Sequence, residues 1–326
     1  MFRKKEQKPI NRYVVDNFSN SQIEEELLKM DISRIEDAIE NEQAQFIDLQ
    51  GLKLNGEMDF GLKPEEINLG RVYFDLKRDI TSLLGVSPNI PDLEIKMNTS
   101  FNFPAVGSTI IEGTALFYVG LYSLAYLSGI VDVNLHEFSI PAMHVIVGDV
   151  SRRAMITLGS MYDPKKNKMM LGRNPEAVLI PTVAHEFDHH ALHKNGVPYG
   201  VFSGKNKSFV YFHEGHAQGV QRVVSKQHFE QTGNDGYLYG SSKIDLVVLK
   251  KTYKWYCKKN DQKPKTTLAT GKIFKGINKL FYYSFDSSER HVKGSAFFYL
   301  LEQEQGNSVY KNTLRDPAKV FSFNDL

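Results

Sequence analysis

The 326-residue sequence contains one cysteine, Cys257, and its formal net charge at pH 7 is only +2. A single cysteine excludes an internal disulfide framework and a cysteine-rich zinc cluster, and it is typical of a reducing compartment. Lys and Arg number 40 while Asp and Glu number 38, so the average field gives no reason to expect nucleic acid or an anionic membrane as a partner. The sequence therefore indicates a protein without disulfides and without a polyanionic partner.

The sequence shows no apolar leader, but it contains one long uncharged segment. No uninterrupted apolar stretch follows the basic start MFRKKEQKPINRYVVDNF, so we expect no signal peptide and predict a cytoplasmic location. Residues 113–131 carry no charge over 19 positions, which approaches the length of a membrane span. The tyrosines, glycines and serines within this segment, and Glu112 and Asp132 at its ends, favour a buried core helix. A membrane-embedded helix stays the alternative.

Hydrophobic periodicity predicts a chain that is mainly helical. The hydrophobic fraction of 41% and the charged fraction of 24% are those of a folded protein with a large core. Two helices are expected after Ser and Asp caps in the first 50 residues, and a third is expected to end at Gly85. Later helices are predicted over AVLIPTVAHEFDHHALHKNG, SFVYFHEGHAQGVQRVVSKQ, SSKIDLVVLKKTYKWY, LATGKIFKGINKLFYY and VKGSAFFYLLEQEQG.

Strand signals occur in the middle of the chain. DLEIKMNTSFNF and MHVIVGDV are typical of strands, and residues 156–172 are typical of a hairpin around an Asp-Pro-Lys-Lys-Asn turn. We therefore predict an α+β fold, mainly helical, with a small mixed sheet before the helix that carries the histidines. Three regions are expected: a helical region with a basic tail at 1–70, a mixed α/β region at 71–177, and a helical region at 178–326.

The stretch AHEFDHHALH, residues 184–193, holds four histidines and two acidic residues. His185, Glu186 and His189 match the motif H-E-x-x-H. On a helix, positions i and i+4 share one face, so both imidazoles can reach one metal ion while Glu186 lies beside it as a general base. The alternative to a metal site is a chance match to this motif, which occurs in roughly one chain in a hundred of this length.

A zinc site that does chemistry needs a third protein ligand. One metalloprotease pattern extends the motif to H-E-x-x-H-x-x-G-x-x-H, but this chain has Leu192 and Asn195 at the Gly and His positions, so that pattern is excluded. Another pattern places a glutamate on the next helix. Glu214 lies 25 residues after His189, beyond a loop rich in Gly, Lys and Ser, and it is the predicted third ligand.

At these residues the chain resembles the gluzincin metallopeptidases, whose third zinc ligand is the Glu of a Glu-Gly-x-Ala-like segment. Residues 214–217 read Glu-Gly-His-Ala and fit that segment. The resemblance covers about residues 178–310 and implies a thermolysin-like catalytic architecture, one zinc ion and a peptide or protein substrate. N-terminal to this range nothing matches, including the Gly-x-Met-Glu-Asn segment of the related aminopeptidases.

A third segment of the resemblance is His291-Val-Lys-Gly294, which is similar to the Tyr-x-x-Gly helix start of aminopeptidase N and its relatives. In those enzymes the tyrosine stabilises the transition state. His291 stands in its place here, and a histidine can donate a hydrogen bond to an oxyanion. Tyr282 or Tyr283 could supply the phenol if the correspondence at His291 is shifted.

The neighbouring polar residues are not expected to be primary ligands. His190 and His193 are predicted on the surface or in support of the ligands, Asp188 has no clear role, and Gln218 could orient a ligand. His213 or His216 could replace Glu214 if the second helix is rotated. His136, His144 and His228 have no partner in the sequence and are expected to be structural.

These patterns predict a zinc hydrolase that acts on peptide bonds and binds no nucleic acid, and they leave the oligomeric state open. One alternative is a catalytically inactive protein that uses the same helix pair as a structural or partner-binding zinc module. A di-iron carboxylate bundle would need a second Glu-x-x-His, and Glu214-x-His216 has the wrong spacing. An intramembrane metalloprotease would need residues 113–131 to lie in lipid.

Overall fold

The computed structural model describes residues 18–97 except 88, and residues 160–197, 209–265, 268, 289–315 and 320. At 289–291 it describes the backbone but not the side chains. Three predicted segments lie outside the described residues: the strand MHVIVGDV, the uncharged stretch 113–131, and all but the first residue of the helix LATGKIFKGINKLFYY. Within the described ranges, no helix combines the length and the apolar character needed to cross a membrane.

Eight α-helices lie in the described residues, and we number them in chain order. They are α1 (Asn20–Lys29), α2 (Ile32–Leu54), α3 (Leu69–Leu84), α4 (Glu176–Lys194), α5 (Val210–Thr232), α6 (Gly236–Lys259), α7 (Glu289–Gln305) and α8 (Ser308–Arg315). A short 3-10 helix, Pro64–Glu66, precedes α3. The mainly helical character predicted from the sequence is confirmed.

Local capping chemistry explains where several helices begin and end. The Ser19 and Asp31 side chains each accept a hydrogen bond from a backbone N–H in the first turn of α1 and α2. Such caps satisfy donors that have no partner inside the helix. Gly85 and Gly306 follow α3 and α7 with φ of 61° and 63°, a left-handed conformation that glycine adopts without strain. The predicted ends of these two helices are confirmed.

A three-stranded mixed sheet precedes α4, as predicted. Its strands are β1 (Glu94–Met97), β2 (Met161–Asp163) and β3 (Lys168–Leu171), in the order β1-β3-β2. The chain runs antiparallel from β2 to β3, which confirms the hairpin, and β1 pairs with β3 in parallel. In the described part of the chain β2 therefore lies at one edge of the sheet, and it packs against α4.

The two histidine-bearing helices lie at the centre of the helical packing. Helix α5 packs against α4, α6 and α7, while α2 packs on α6 and α1 packs on both α5 and α7. One hydrophobic cluster joins the N-terminal helices, the sheet and the C-terminal helices, with members such as Ile23, Met169, Phe187 and Phe297. Residues from all three predicted regions therefore share a core, and the proposed boundaries near residues 70 and 177 stay predictions.

Helices α5 and α7 cross with their backbones in direct contact. A Cβ atom placed on Gly294 would lie 1.8 Å from the carbonyl oxygen of Tyr211, and one placed on Gly215 would lie 2.3 Å from the carbonyl carbon of Gly294. Because no real side chain tolerates such distances, glycine at both positions permits the crossing. The two glycines belong to the Glu-Gly-His-Ala and His-Val-Lys-Gly segments, so both segments meet at one point of the fold.

Candidate metal centre

Helix α4 presents two imidazoles on one face. His185 and His189 are one turn apart, their ring centroids are 4.9 Å apart, and the rings are nearly perpendicular at 86°. Most side chains of α4 are buried, which is typical of a helix at the centre of a core. Pro181, one turn before His185, lies inside the helix. The H-E-x-x-H spacing thus places both rings where the sequence predicted.

Helix α5 brings the Glu214 carboxylate to the same point. Its Oε2 atom lies 3.5 Å from Nε2 of His185 and 3.7 Å from Nε2 of His189. One ligand atom from each of the three residues lies within 4.8 Å of the other two. His189 and Glu214 are buried, and His185 keeps 15% of its side chain exposed. The structure therefore brings together the three residues predicted to be ligands, with His185 partly exposed to solvent.

The spacing of these atoms fits a metal ion better than direct hydrogen bonds. Separations of 3.5 and 3.7 Å are too long for strong N–H···O bonds, which lie near 2.7–3.2 Å. A tetrahedral zinc ion with ligand bonds of about 2.0–2.2 Å places its ligand atoms roughly 3.3–3.5 Å apart. Two imidazole nitrogens and one carboxylate oxygen are a usual zinc donor set. The residues present thus fit this ion in donor type, and the two separations to Glu214 lie close to those that it requires.

The electrostatics of His185 reflect crowding by acidic groups. Burial lowers the pKa of its imidazole, but the interaction with Glu214 and the negative charges of Glu186 and Asp188 outweigh burial, so the pKa is raised overall. The pocket thus favours positive charge at this position. A divalent cation supplies that charge without a proton, which is why carboxylate-rich buried sites bind metals.

Glu186 lies beside the ligands and is itself buried. Burial raises the pKa of its carboxyl group, the charges of His185 and His189 lower it, and the charge of Glu214 raises it again, so the net shift is upward. A backbone hydrogen bond from Tyr162 of strand β2 favours the ionised form. The carboxyl group is therefore adjacent to both histidines and tied to the edge strand of the sheet.

Asp188 and His216 form a buried pair that ties α4 to α5. Nδ1 of His216 lies 2.9 Å from Oδ2 of Asp188, and neither side chain has any exposed surface. The His216 ring meets the rings of Phe298 and Tyr310 edge-on, with centroids 5.3 Å apart in each case. His216 is thus engaged in a structural contact, and Glu214 is the residue of this segment that faces His185 and His189.

The two other histidines of the stretch 184–193 contact the sheet and the segment that leads into it. His190 is fully buried, and its Nε2 lies 2.9 Å from the carbonyl oxygen of Pro91, so the expectation of a surface position is wrong for it. Its local sequence is polar, but it faces the segment that leads into β1. His193 is half-buried, and its Nδ1 lies 2.9 Å from the hydroxyl of Tyr162.

The remaining predicted positions have less direct relations to the site. His213 is buried with its ring centroid 6.1 Å from that of His189, and Gln218 is buried one turn after Glu214. His228 stacks on Tyr237 at 5.1 Å, in agreement with a structural role. His136 and His144 lie outside the described residues.

His291 lies in the first turn of α7, but its side chain is outside the described residues, as are Tyr282 and Tyr283 entirely. The backbone of α7 near this turn crosses α5 beside Glu214, at Gly294. The proposed role of His291, or of either tyrosine, therefore stays a prediction.

Sequence reasoning missed a second buried charge network on α5. The Arg222 guanidinium donates to Asp245 at 2.8 Å and to Glu302 at 3.0 Å. Glu302 also accepts from the Tyr310 hydroxyl at 2.6 Å and from Lys226 at 3.2 Å. Burial disfavours the charged guanidinium, but the two carboxylates outweigh burial and raise the pKa of Arg222 well above its ordinary value. The sequence signal that could have indicated this network is an arginine between valines in GVQRVV, which suggests a buried and therefore paired cation.

Comparison of the chain with models of known protein families, with curated protein sequences and with solved structures finds no match. The function of the site therefore has to follow from its own geometry and chemistry.

Proposed function

We propose that this protein is a zinc-dependent hydrolase of the gluzincin type that cleaves peptide bonds. The observation that carries the proposal is the meeting of His185, His189 and Glu214, from two consecutive helices, at separations that fit one ion. Glu186 lies next to this group in a buried position. Two imidazoles, a carboxylate and a second carboxyl group beside them are the parts of a metallopeptidase site.

Each residue has a distinct role in this proposal. His185, His189 and Glu214 hold the ion, which when bound supplies Lewis acidity and lowers the pKa of water towards 7. The Glu186 carboxylate accepts a proton from the attacking water and passes it to the leaving amine. His291 donates a hydrogen bond to the developing oxyanion, a role that rests on the resemblance alone.

The small sheet supplies a means of holding the substrate. Among the described strands, β2 lies at the sheet edge; it packs on α4, and its Tyr162 backbone reaches Glu186. An extended peptide can add to such an edge through backbone hydrogen bonds. This arrangement supports a peptide substrate, as does the order of sheet, histidine helix and glutamate helix along the chain.

The test is metal analysis of the full chain together with two variants. Mass spectrometry should find one zinc per chain in the wild type and in Glu186→Gln, while Glu186→Gln should lose hydrolysis of a peptide library. Glu214→Ala should lose most of the metal, because two imidazoles alone leave the ion with two protein ligands. Full zinc occupancy in Glu214→Ala would contradict the assigned ligand set.

An inactive zinc-binding protein is the second candidate, and the histidine at position 291, where the related enzymes have tyrosine, favours it. This candidate uses the α4–α5 pair as a structural or partner-binding module. It predicts bound zinc and no turnover of any peptide in the library by the wild type. Measurable turnover that disappears in Glu186→Gln decides for the hydrolase.

A further inference from the structure

The first turn of the helix that supplies Glu214 receives a hydrogen-bond acceptor from another helix. The residue before α5 is Phe209, whose ring cannot accept a hydrogen bond from the first turn. The Asn20 side chain of α1 takes this place, because its Oδ1 accepts the backbone N–H of Tyr211 at 3.0 Å. The two residues are 191 positions apart in the chain. A cap that other helices carry locally is therefore supplied to α5 by the N-terminal helix.

Tyr211 is held by its other polar groups as well. Its hydroxyl donates to Oε1 of Glu24 at 3.3 Å, and its carbonyl oxygen lies against Gly294 at the helix crossing. The Lys293 ammonium lies 5.5 Å from the centre of its ring. The backbone N–H, carbonyl, hydroxyl and ring face of this one residue are thus each in contact with α1 or α7.

An ion pair joins α1 to α7 at the same place. The Lys293 ammonium donates to Oε1 of Glu24 at 2.5 Å and lies 4.6 Å from the Trp255 ring. Only 8% of the Lys293 side chain is exposed. The Glu24 side chain is 30% exposed, so the pair is partly buried. A charged hydrogen bond whose lysine is buried against an aromatic face is stronger than a fully exposed ion pair.

Aromatic packing anchors the beginning of this segment. Phe18 has no exposed surface, and its ring lies 5.1 Å from Phe212 and 6.2 Å from Phe298. Phe212 follows Tyr211 in α5, and Phe298 lies one turn after Gly294 in α7. Phe18, Asn20 and Glu24, which we call the N-terminal clasp, thus hold the start of α5 and the start of α7 together.

The clasp acts within one turn of the proposed metal ligand. Glu214 follows Tyr211 by three residues, a rise of about 4.5 Å along the helix axis. A tilt of the first turn of α5 therefore moves the Glu214 carboxylate, and metal sites depend on ligand positions to within a few tenths of an ångström. We propose that Asn20 and Glu24 are positioning residues for Glu214, an inference that rests on the proposed zinc site.

The chain contains a matched control for each residue of this proposal. Asp31 accepts the N–H of Ser33 at 3.0 Å and so caps α2 as Asn20 caps α5, but it does so away from the site. Glu36 accepts from a lysine at 2.5 Å and from the Tyr253 hydroxyl at 3.0 Å, as Glu24 accepts from Lys293 and Tyr211. Substitution of either control residue removes the same kind of bond, but the bonds lost go to Ser33, Tyr253 or Lys265 and not to α5.

The experiment measures zinc affinity by competition with a chromophoric chelator, at a temperature where every variant is folded. We expect Asn20→Ala to weaken zinc binding on the order of tenfold, as loss of a residue that orients a ligand does, while Asp31→Ala leaves it unchanged. Asn20→Asp keeps the acceptor oxygen and should restore the affinity. Glu24→Gln should weaken binding more than Glu36→Gln, and this pair decides the matter if Asn20→Ala does not fold.

Equal zinc affinities in Asn20→Ala and Asp31→Ala, or in Glu24→Gln and Glu36→Gln, would overturn the inference while leaving the zinc site intact. A wild-type chain that binds no zinc would remove the proposed function itself. The two failures are therefore distinguishable, because only the second one shows in the wild-type protein.

Discussion

Helix α5 carries two buried charged groups of opposite kind, Glu214 and Arg222, eight residues apart. Around Arg222, charged partners meet directly, with donor–acceptor distances of 2.8 Å to Asp245 and 3.0 Å to Glu302. Around Glu214, the two imidazole nitrogens stay 3.5 and 3.7 Å away. The first cluster is closed by its own hydrogen bonds, and the second is arranged around a common point.

This difference supports a structural role for the Arg222 cluster and the proposed metal site at Glu214. A buried ion is tolerated when its partners satisfy it, and Arg222 is satisfied by two carboxylates. The pair of Asp188 and His216, on the same two helices as the proposed ligands, closes to 2.9 Å. The local packing therefore permits short contacts, so the longer spacing at Glu214 is specific to that position and favours a bound cation.

The largest expected effect comes from breaking the closed cluster. Arg222→Met leaves Asp245 buried without its cation and Glu302 with only Lys226 and Tyr310 as partners, and should destabilise the protein by about 3–5 kcal/mol. Chemical denaturation in the absence of metal would measure this change. The loss should be the same with and without zinc, since the network lies two turns from Glu214. A variant as stable as the wild type would show that the carboxylates are neutral in the folded protein.

The stability contributed by the second cluster, His185, His189 and Glu214, should depend on zinc. Zinc at about 100 times its dissociation constant should stabilise the wild type by about 2.7 kcal/mol, because it binds the folded state. Glu214→Gln should lose most of this gain, because the carboxylate that serves as the third ligand is gone. Thermal unfolding with zinc and with a chelator would test both statements. Equal zinc stabilisation of the two proteins would contradict the comparison.

His190 tests the comparison of the two clusters in another way. It follows the proposed ligand His189 in the sequence, but its ring is satisfied by a contact within the protein, the Pro91 carbonyl. Burial lowers its pKa to about 4, although the Pro91 carbonyl opposes the shift. The unfolded chain takes up a proton near pH 6.5 and the folded protein does not, so stability is complete above pH 6.5 and is lost as the pH falls towards 4. We expect a loss of about 2 kcal/mol over this window.

The measurement is the free energy of unfolding between pH 7 and 4 in the presence of a chelator, which excludes any effect of metal release. His190→Gln keeps a donor for the Pro91 carbonyl but does not titrate. Its stability should therefore fall less steeply than that of the wild type. Parallel curves for the two proteins would assign the acid sensitivity to other groups.

The smallest effect is expected at the solvent side of the closed cluster. Lys226 bonds to Glu302 at 3.2 Å, but 44% of its side chain is exposed. Lys226→Met should therefore cost less than about 1 kcal/mol, since water screens such pairs. Comparison of its unfolding curve with that of Arg222→Met measures how much burial contributes. An effect as large as that of Arg222→Met would mean that the lysine, too, is an essential counter-charge.

Local features of the fold were predictable because their causes are local. The Ser and Asp caps, the glycines after α3 and α7, and the turn of the β2–β3 hairpin act over a few residues, and each was recognised in the sequence. The spacing of His185 and His189 is also a local property of one helix. Glu214 could be predicted as the third ligand because it lies on the helix that follows the histidine helix, where the gluzincin resemblance places that ligand.

The contacts that escaped prediction join residues far apart in the chain. Asp188 meets His216 over 28 positions, Arg222 meets Glu302 over 80, and Asn20 meets Tyr211 over 191. No periodic pattern or cap signal specifies such pairs, because they arise only when the helices have packed. The same reason explains why the sequence left His190 between a surface and a supporting position, whereas the fold buries it against the Pro91 carbonyl.

The Gly215–Gly294 crossing makes α5 and α7 one mechanical unit beside Glu214. Where side chains separate two helices, rotamer changes can absorb a displacement, but two backbones in contact must move together. A molecule that shifts the first turn of α7 therefore shifts the carboxylate of Glu214 as well. A cobalt(II) ion bound at the proposed site would report such a shift of Glu214 as a change in its visible absorption.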